Sequence, residues 1–328
     1  MKLSMMKLSM SLATAACVYL GVASTVSAAS PEGMRLYAFS SGFLNIDKSA
    51  LQGGATGKID VPVGFFLIHH PKGNVLFDTG NNDKVLSDPS YWGPLAAMLE
   101  NPANNSKSPD LAIDLQLQKA GYKTSDINYV VLGHMHLDHA GNVGKFPTST
   151  IVYQRDEIIN AFWPKPGFAC CYITADFSML RGKQGENDPN GQKVIELNGD
   201  LDLFGDGSIL IHRLVGHTPG SEEMIVRLPK TGVVVLTSDN LYLMDNLEKD
   251  ILPSVSLSYD PAGIVAGYQW LKHMRDVEGA QIFTAHDPDG YKTRKHSPQY
   301  YEKSTRLRYI DADGSARDLR VARVLRAL

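Results

Sequence analysis

Apolar residues along this chain fall in short runs separated by turn-forming residues. Val63-Gly64-Phe65-Phe66-Leu67-Ile68 and Asn74-Val75-Leu76-Phe77 flank Pro71-Lys72-Gly73, which predicts a hairpin ending in Asp78-Thr79-Gly80. Leu111 to Ala120 reads as a helix with Asp110 as N-cap, and Ile127 to Leu132 as a buried strand. The alternation continues with a strand at Thr150 to Tyr153 and a helix from about Asp156 to Phe162. An irregular Pro/Gly/Asn-rich insertion then runs from Pro164 to Asn190. Further strands are predicted near Ser208 to Val215, Glu223 to Leu228 and Gly232 to Leu236. A long amphipathic helix from Pro261 to Val277 precedes a last strand, Gln281 to Phe283. Hairpins first and helices outside them imply an α/β (α+β) protein, with sheets sandwiched between helices rather than a doubly wound parallel sheet.

The two ends read differently. Lys2 and Lys7, the apolar run Leu12 to Val26 and the small residues Ser27-Ala28-Ala29 predict an export signal over 1–28, cleaved near Ala28 or Ala29. The run is short for a bilayer span, so the expected destination is periplasmic or secreted, with no membrane partner once the signal is removed. At the other end Ser315 and Asp318 resemble a capping box ahead of Val321, Val324, Leu325 and Leu328 at helical spacing. A docked terminal helix within a tail of about 303–328 is expected. The remaining residues, 29–328, are read as one domain with its core at about 61–287.

Composition narrows the partners. The 328 residues carry a net charge of −3, which loss of two Lys and no acid with the signal takes to −5. Basic and acidic residues are interspersed, so no positive field argues for nucleic acid, and a small uncharged molecule is the expected partner. Only Cys170 and Cys171 remain after cleavage. Adjacent Cα atoms about 3.8 Å apart are closer than ordinary disulfide geometry, which favours two thiols in a loop.

Chemistry concentrates in His134-Met135-His136-Leu137-Asp138-His139, directly after the strand Tyr129-Val130-Val131-Leu132. Alternate residues of an extended segment point the same way, so His134 and His136 can face one ion while Asp138 and His139 reach a second. Imidazole with carboxylate suits zinc, iron, manganese or cobalt rather than calcium. Three more potential ligands stand at strand ends. These are His217 in Gly216-His217-Thr218-Pro219-Gly220-Ser221, Asp239 in Thr237-Ser238-Asp239-Asn240, and His286 in Thr284-Ala285-His286-Asp287. His69, His70, His212, His273 and His296 lack this context and are read as structural or exposed.

The HxHxDH run, the later His, Asp and His, and Asp78-Thr79-Gly80 resemble the metallo-β-lactamase superfamily over roughly Val61 to Asp287. The resemblance implies an αββα four-layer sandwich, two mixed β-sheets flanked by helices. It also implies two divalent ions, zinc first. Carried over, His134, His136 and His217 would hold one ion, Asp138, His139 and His286 the other, with Asp239 bridging and Asp78 supporting the ligand loops. A dimer is common in the family, so a homodimer is possible.

Asp239 at the bridging position departs from the true β-lactamases of the superfamily. Tyr242, three residues on, stands at the offset where the N-acyl-homoserine lactonases carry a tyrosine, and Pro298-Gln299-Tyr300-Tyr301-Glu302 resembles those enzymes too. The resemblance therefore implies opening of a lactone ring by a metal-bridging hydroxide. Tyr242 would stabilise the oxyanion and Asp138 would relay the proton. The alternative is an exported phosphotriesterase or aryl esterase of the same superfamily; a glyoxalase II-like thioesterase and a metal-holding periplasmic binding protein rank lower. Tyr91-Trp92, Phe162-Trp163, Phe168 and Tyr172 either line a channel for an acyl chain or pack the loops.

Overall fold

Each sheet strand separates two apolar compartments, because alternate side chains leave opposite faces. The computed structural model describes residues 30–100, 107–181, 191–302, 308–310 and 316–318. The first sheet has six strands in the order β1 (Arg35–Asp47), β2 (Lys58–His70), β3 (Gly73–Phe77), β4 (Ile127–Val131), β5 (Thr150–Gln154) and β6 (Lys193–Leu197). It is mixed: β1, β2 and β3 pair antiparallel, and β3 to β6 pair parallel. The second sheet contains β7 (Leu201–Asp202), β8 (Ile209–Arg213), β9 (Glu222–Leu228), β10 (Gly232–Leu236) and β11 (Gln281–Phe283). Only its β10–β11 pair is parallel.

Leu36, Ala38, Phe66, Ile68, Val75 and Phe77 meet Val226, Val234 and Leu236 of the second sheet in one buried cluster between the sheets. Tyr37, Phe39, Phe65, Leu67 and Leu76, on the opposite face, pack under Ile113 and Leu117 of helix α2 (Ile113–Lys119) and Ile158 and Ala161 of helix α3 (Arg155–Phe162). On the far side Ile225 and Val235 pack under Leu247 of α4 (Met244–Lys249) and Ile264, Tyr268 and Leu271 of α5 (Pro261–Asp276). The helices α1 (Lys48–Leu51) and α6 (Pro288–Thr293) are short connections. The layers are thus helix, sheet, sheet, helix, with α2 and α3 covering one sheet and α4 and α5 the other, while α1 and α6 lie outside the stack. Both sheet faces are buried, which is why the strands read as nearly continuous apolar runs.

Several expectations change in detail. Asp110 does not cap α2: Pro109–Leu111 is a separate turn, and the carboxylate of Asp83 accepts from Ile113 N at 3.1 Å instead. The extended backbone of Ala112 makes the break. β1 had no sequence expectation, because Ser40, Ser41 and Gly42 interrupt its alternation where the β1–β2 register shifts. The terminal helix is corrected at its start: Ala316–Asp318 pair antiparallel with Arg308–Ile310 as strands. The rest of that helix and the export signal lie outside the described residues. Among the described residues no helix is long and apolar enough to cross a membrane.

Candidate metal centre

The loops following β4, β8, β10 and β11 converge, and they bring all seven expected ligand residues together. His134, His136, Asp138, His139, His217, Asp239 and His286 are each at most 9% exposed. His134, His136 and His217 form one group, Asp138, His139 and His286 a second, and His134, His139 and Asp239 a third, with the ligand atoms of each within 4.8 Å of one another. His217 Nε2 lies 3.0 Å from His136 Nδ1, and His139 Nε2 lies 3.3 Å from His286 Nε2. The Asp239 carboxylate divides between them. Its Oδ1 is 3.1 Å from His139 Nε2 and 3.0 Å from His286 Nε2, while its Oδ2 is 3.6 Å from His217 Nε2 and 3.7 Å from His134 Nε2.

Outer hydrogen bonds fix which ring nitrogen faces inward. A carbonyl oxygen can only accept, so His286 Nδ1–H donates to Pro62 O at 2.7 Å and His217 Nδ1–H to Leu257 O at 3.0 Å. Both Nε2 lone pairs are left facing Asp239. His139 Nδ1 is 2.9 Å from Asp78 Oδ2, and Asp78 Oδ1 accepts from Gly133 N at 2.7 Å. Ser238 Oγ donates to Asp78 Oδ2 at 2.9 Å and lies 3.3 Å from His134 Nδ1. Asp78 and Ser238 both sit at positive φ, 61° and 47°, an unfavourable backbone region held here by these bonds.

Burial holds His134 and His136 well below the ordinary histidine range, helped by the neighbouring histidines. Neutral rings with free lone pairs result. Burial also opposes charge on His139, but Asp239, Asp138 and Asp78 outweigh it and raise that ring well above its ordinary value. For Asp239, burial favours the neutral acid, yet His139 and His286 hold the carboxyl well below its usual range. Donor atoms about 2.0–2.2 Å from one ion stand about 3–4 Å apart, so these spacings suit such a centre. His134 Nε2 is buried without a hydrogen-bond partner, which an ion between the groups would satisfy. The residues present therefore fit divalent metal ions.

Glu157 of α3 joins two of the ligand loops, and no sequence signal marks it: an acid in the first turn of a helix is ordinary. Fully buried, it accepts from Met135 N at 2.8 Å, Thr218 Oγ1 at 2.6 Å, Tyr172 OH at 3.2 Å and Gly220 N at 3.3 Å. A Cβ on Gly220 would stand 2.3 Å from Glu157 N, so only glycine admits this approach.

Beside the histidines is a cavity of about 240 Å³ whose wall includes Asp138, Asp239, His286 and Tyr242. Tyr242 is 2% exposed, and its hydroxyl is 3.0 Å from His217 Nδ1. That nitrogen's proton is directed to Leu257 O, which leaves the phenolic O–H free to point elsewhere. Burial, then Asp239 and Asp138, push the phenol well above its ordinary value, so it stays protonated. Leu44, Ile46, Val61, Leu95 and Met98 supply the apolar wall. Of the two readings of the aromatic segments, lining of this cavity is not found: Trp92 is buried behind its wall in one cluster with Leu44, Val61 and Tyr242, Tyr91 bonds Asp176, Phe162 packs against Phe177, Trp163 is 64% exposed, and Phe168 and Tyr172 line a separate small hollow. The cysteine expectation is also corrected. Cys170 and Cys171 are joined as a disulfide, with the backbone of Cys171 turned to φ 76°.

A fold of two mixed sheets between helices, with histidines and aspartates gathered at the strand ends, defines a metallo-hydrolase. The family model described as the metallo-beta-lactamase superfamily matches residues 60–286, and the chain belongs to that superfamily. The N-acyl homoserine lactonase AttM of Azorhizobium caulinodans is 34% identical over 276 residues, covering 82% of this chain and 99% of the relative. An N-acyl homoserine lactonase of Bacillus cereus is 26% identical over 81% of this chain and 98% of its own length. The fold is also that of an N-acyl homoserine lactone hydrolase solved with N-hexanoyl-L-homoserine at its metal center. That structure has a TM-score of 0.65 and 23% identity, over 81% of this chain and 98% of its own.

Proposed function

We propose that this chain opens the lactone ring of N-acyl-homoserine lactones with two divalent ions, zinc first, held by His134, His136 and His217 and by Asp138, His139 and His286, with Asp239 shared. The observation that carries this reading is the division of one carboxylate, Oδ1 toward one set of imidazoles and Oδ2 toward the other, beside a buried phenol on an apolar cavity. Relatives that bear the lactonase name and align over nearly their whole length support it. When bound, the ions would supply Lewis acidity to activate water and polarise the lactone carbonyl.

The side chains do the rest. Tyr242 donates its O–H to the carbonyl oxygen as negative charge develops there. Asp138, whose Oδ2 is 3.4 Å from His286 Nε2, takes the proton released by water and returns it to the ring oxygen as the C–O bond breaks. The apolar wall excludes water around the acyl chain. We further propose export by the leader at 1–28, with which the Cys170–Cys171 disulfide agrees, since disulfides persist in oxidising compartments.

Acid release from N-hexanoyl-homoserine lactone by metal-loaded protein, followed with a pH indicator, tests the reading. Release above background that chelation abolishes is expected. Its absence at millimolar substrate would overturn the assignment.

A further inference from the structure

The segment Cys170-Cys171-Tyr172 touches the candidate centre at three levels. Both cysteines line the cavity beside the histidines together with Leu44, Ile46 and Met98. The carbonyl of Cys171 accepts from Leu137 N at 2.8 Å, between His136 and Asp138. The Tyr172 ring packs edge-on against His136 with centroids 4.6 Å apart. Cys170 also lines a hollow of about 10 Å³ on the side of Phe168, so this residue borders both spaces.

Bonding the sulfurs removes two weak S–H donors and ties two rotating side chains into one ring. What faces the cavity is then a fixed, polarisable, apolar surface, at no further cost in side-chain freedom when a ligand packs on it. We propose that the Cys170–Cys171 disulfide is a specificity-determining element that forms part of the wall on which the acyl chain packs. This inference rests on the lactonase reading above. Two free thiols in its place present movable polar groups to the ligand. Long acyl chains, which cover more of this wall, therefore lose more contact than short ones.

The test compares N-butanoyl- and N-decanoyl-homoserine lactone on the metal-loaded protein. In the C170S/C171S variant, kcat/KM for the decanoyl substrate should fall about tenfold, since each methylene of apolar contact is worth roughly fourfold, and the fall should lie in KM. The butanoyl value should stay within about twofold of wild type. Should the variant fail to fold, the wild-type protein is treated with a phosphine in metal-saturated buffer. The S–S bond then takes up two electrons and two protons, and phosphine and water become phosphine oxide. The same chain-length-selective loss, reversed on reoxidation, is expected. Equal losses for both substrates, no loss for either, or alkylation of both cysteines in untreated native protein would each overturn the proposal. Wild-type protein that opens neither lactone refutes the lactonase reading itself.

Discussion

Removing the carboxylate of Glu157 isolates the contribution of the clamp between two ligand loops. In Glu157→Ala the amides of Met135 and Gly220 lose the side-chain acceptor they have among the described residues, inside a fully buried site. Thr218 Oγ1 can turn its proton to Ser221 Oγ, 2.8 Å away, and so escapes the penalty. A buried donor left unsatisfied costs about 1–3 kcal/mol, which for the two amides gives roughly 2–6 kcal/mol. Burial raises the Glu157 pKa despite these bonds, so losing the charge offsets part of that cost. A net loss of about 2–4 kcal/mol follows. Glu157→Gln should cost less, about 1–3 kcal/mol, because its carbonyl can serve Met135 and its amide faces the reversible Thr218 hydroxyl, which leaves the Gly220 amide as the one unsatisfied donor. Urea denaturation followed by circular dichroism gives both numbers. Metal retention should fall with Glu157→Ala, since Met135 lies between His134 and His136 and Thr218 follows His217. An alanine variant within about 0.5 kcal/mol of wild type, or a glutamine variant as damaged as alanine, would refute the clamp.

Asp176 is raised to about 6 by burial, against bonds from Tyr91 and Asn82. Its native pKa lies above the unfolded value, so the native state binds the extra proton, and stability falls as pH rises from about 4 to about 6. The span is worth at most about 3 kcal/mol, and Asp176→Asn should flatten it in urea midpoints measured across that range; an unchanged slope sinks the assignment. Both bonds go to Oδ1 while Oδ2 has no partner, so the amide forfeits neither. Gly141→Ala should lower soluble yield and cost at least about 3 kcal/mol, because its Cβ would stand 2.2 Å from the backbone nitrogen of Asn82. A soluble variant with a wild-type urea midpoint would contradict that packing. Chelation should lower the melting temperature, since ligands present at about 1,000 times their Kd stabilise by about 4 kcal/mol; scanning fluorimetry that finds no shift counts against ions at this centre. Tyr242→Phe should reduce lactone turnover about a hundredfold, and a larger loss on paraoxon-type substrates would favour the phosphotriesterase alternative.

The ligand residues were legible because each combines two signals, a coordinating side chain and a position just past an apolar strand run. His134 after Val130-Val131-Leu132 and Asp239 after Val233-Val234-Val235-Leu236 show both. Strands β4, β10 and β11 were readable for the same reason. Glu157 and Ser238 were not, since their roles arise from contacts with residues distant in the chain. Glu157 reaches Thr218 and Ser238 reaches Asp78. The cysteine pair was misjudged because the Cα separation of 3.8 Å alone disfavours a bond, whereas the turn at Cys171 brings the sulfurs together.

The two faces of β1 and β2 hold unlike cargo: Tyr37, Phe39 and Phe65 on one, Leu36, Ala38 and Phe66 on the other. Slipping the hairpin by one position would exchange these sets between compartments of different shape. Correct registration also decides where β3 stops, and therefore where Asp78 meets His139. The greasy interior thus acts as an indexing stop, and volume changes at Phe39 or Phe65 should be felt at His139, on the loop after β4.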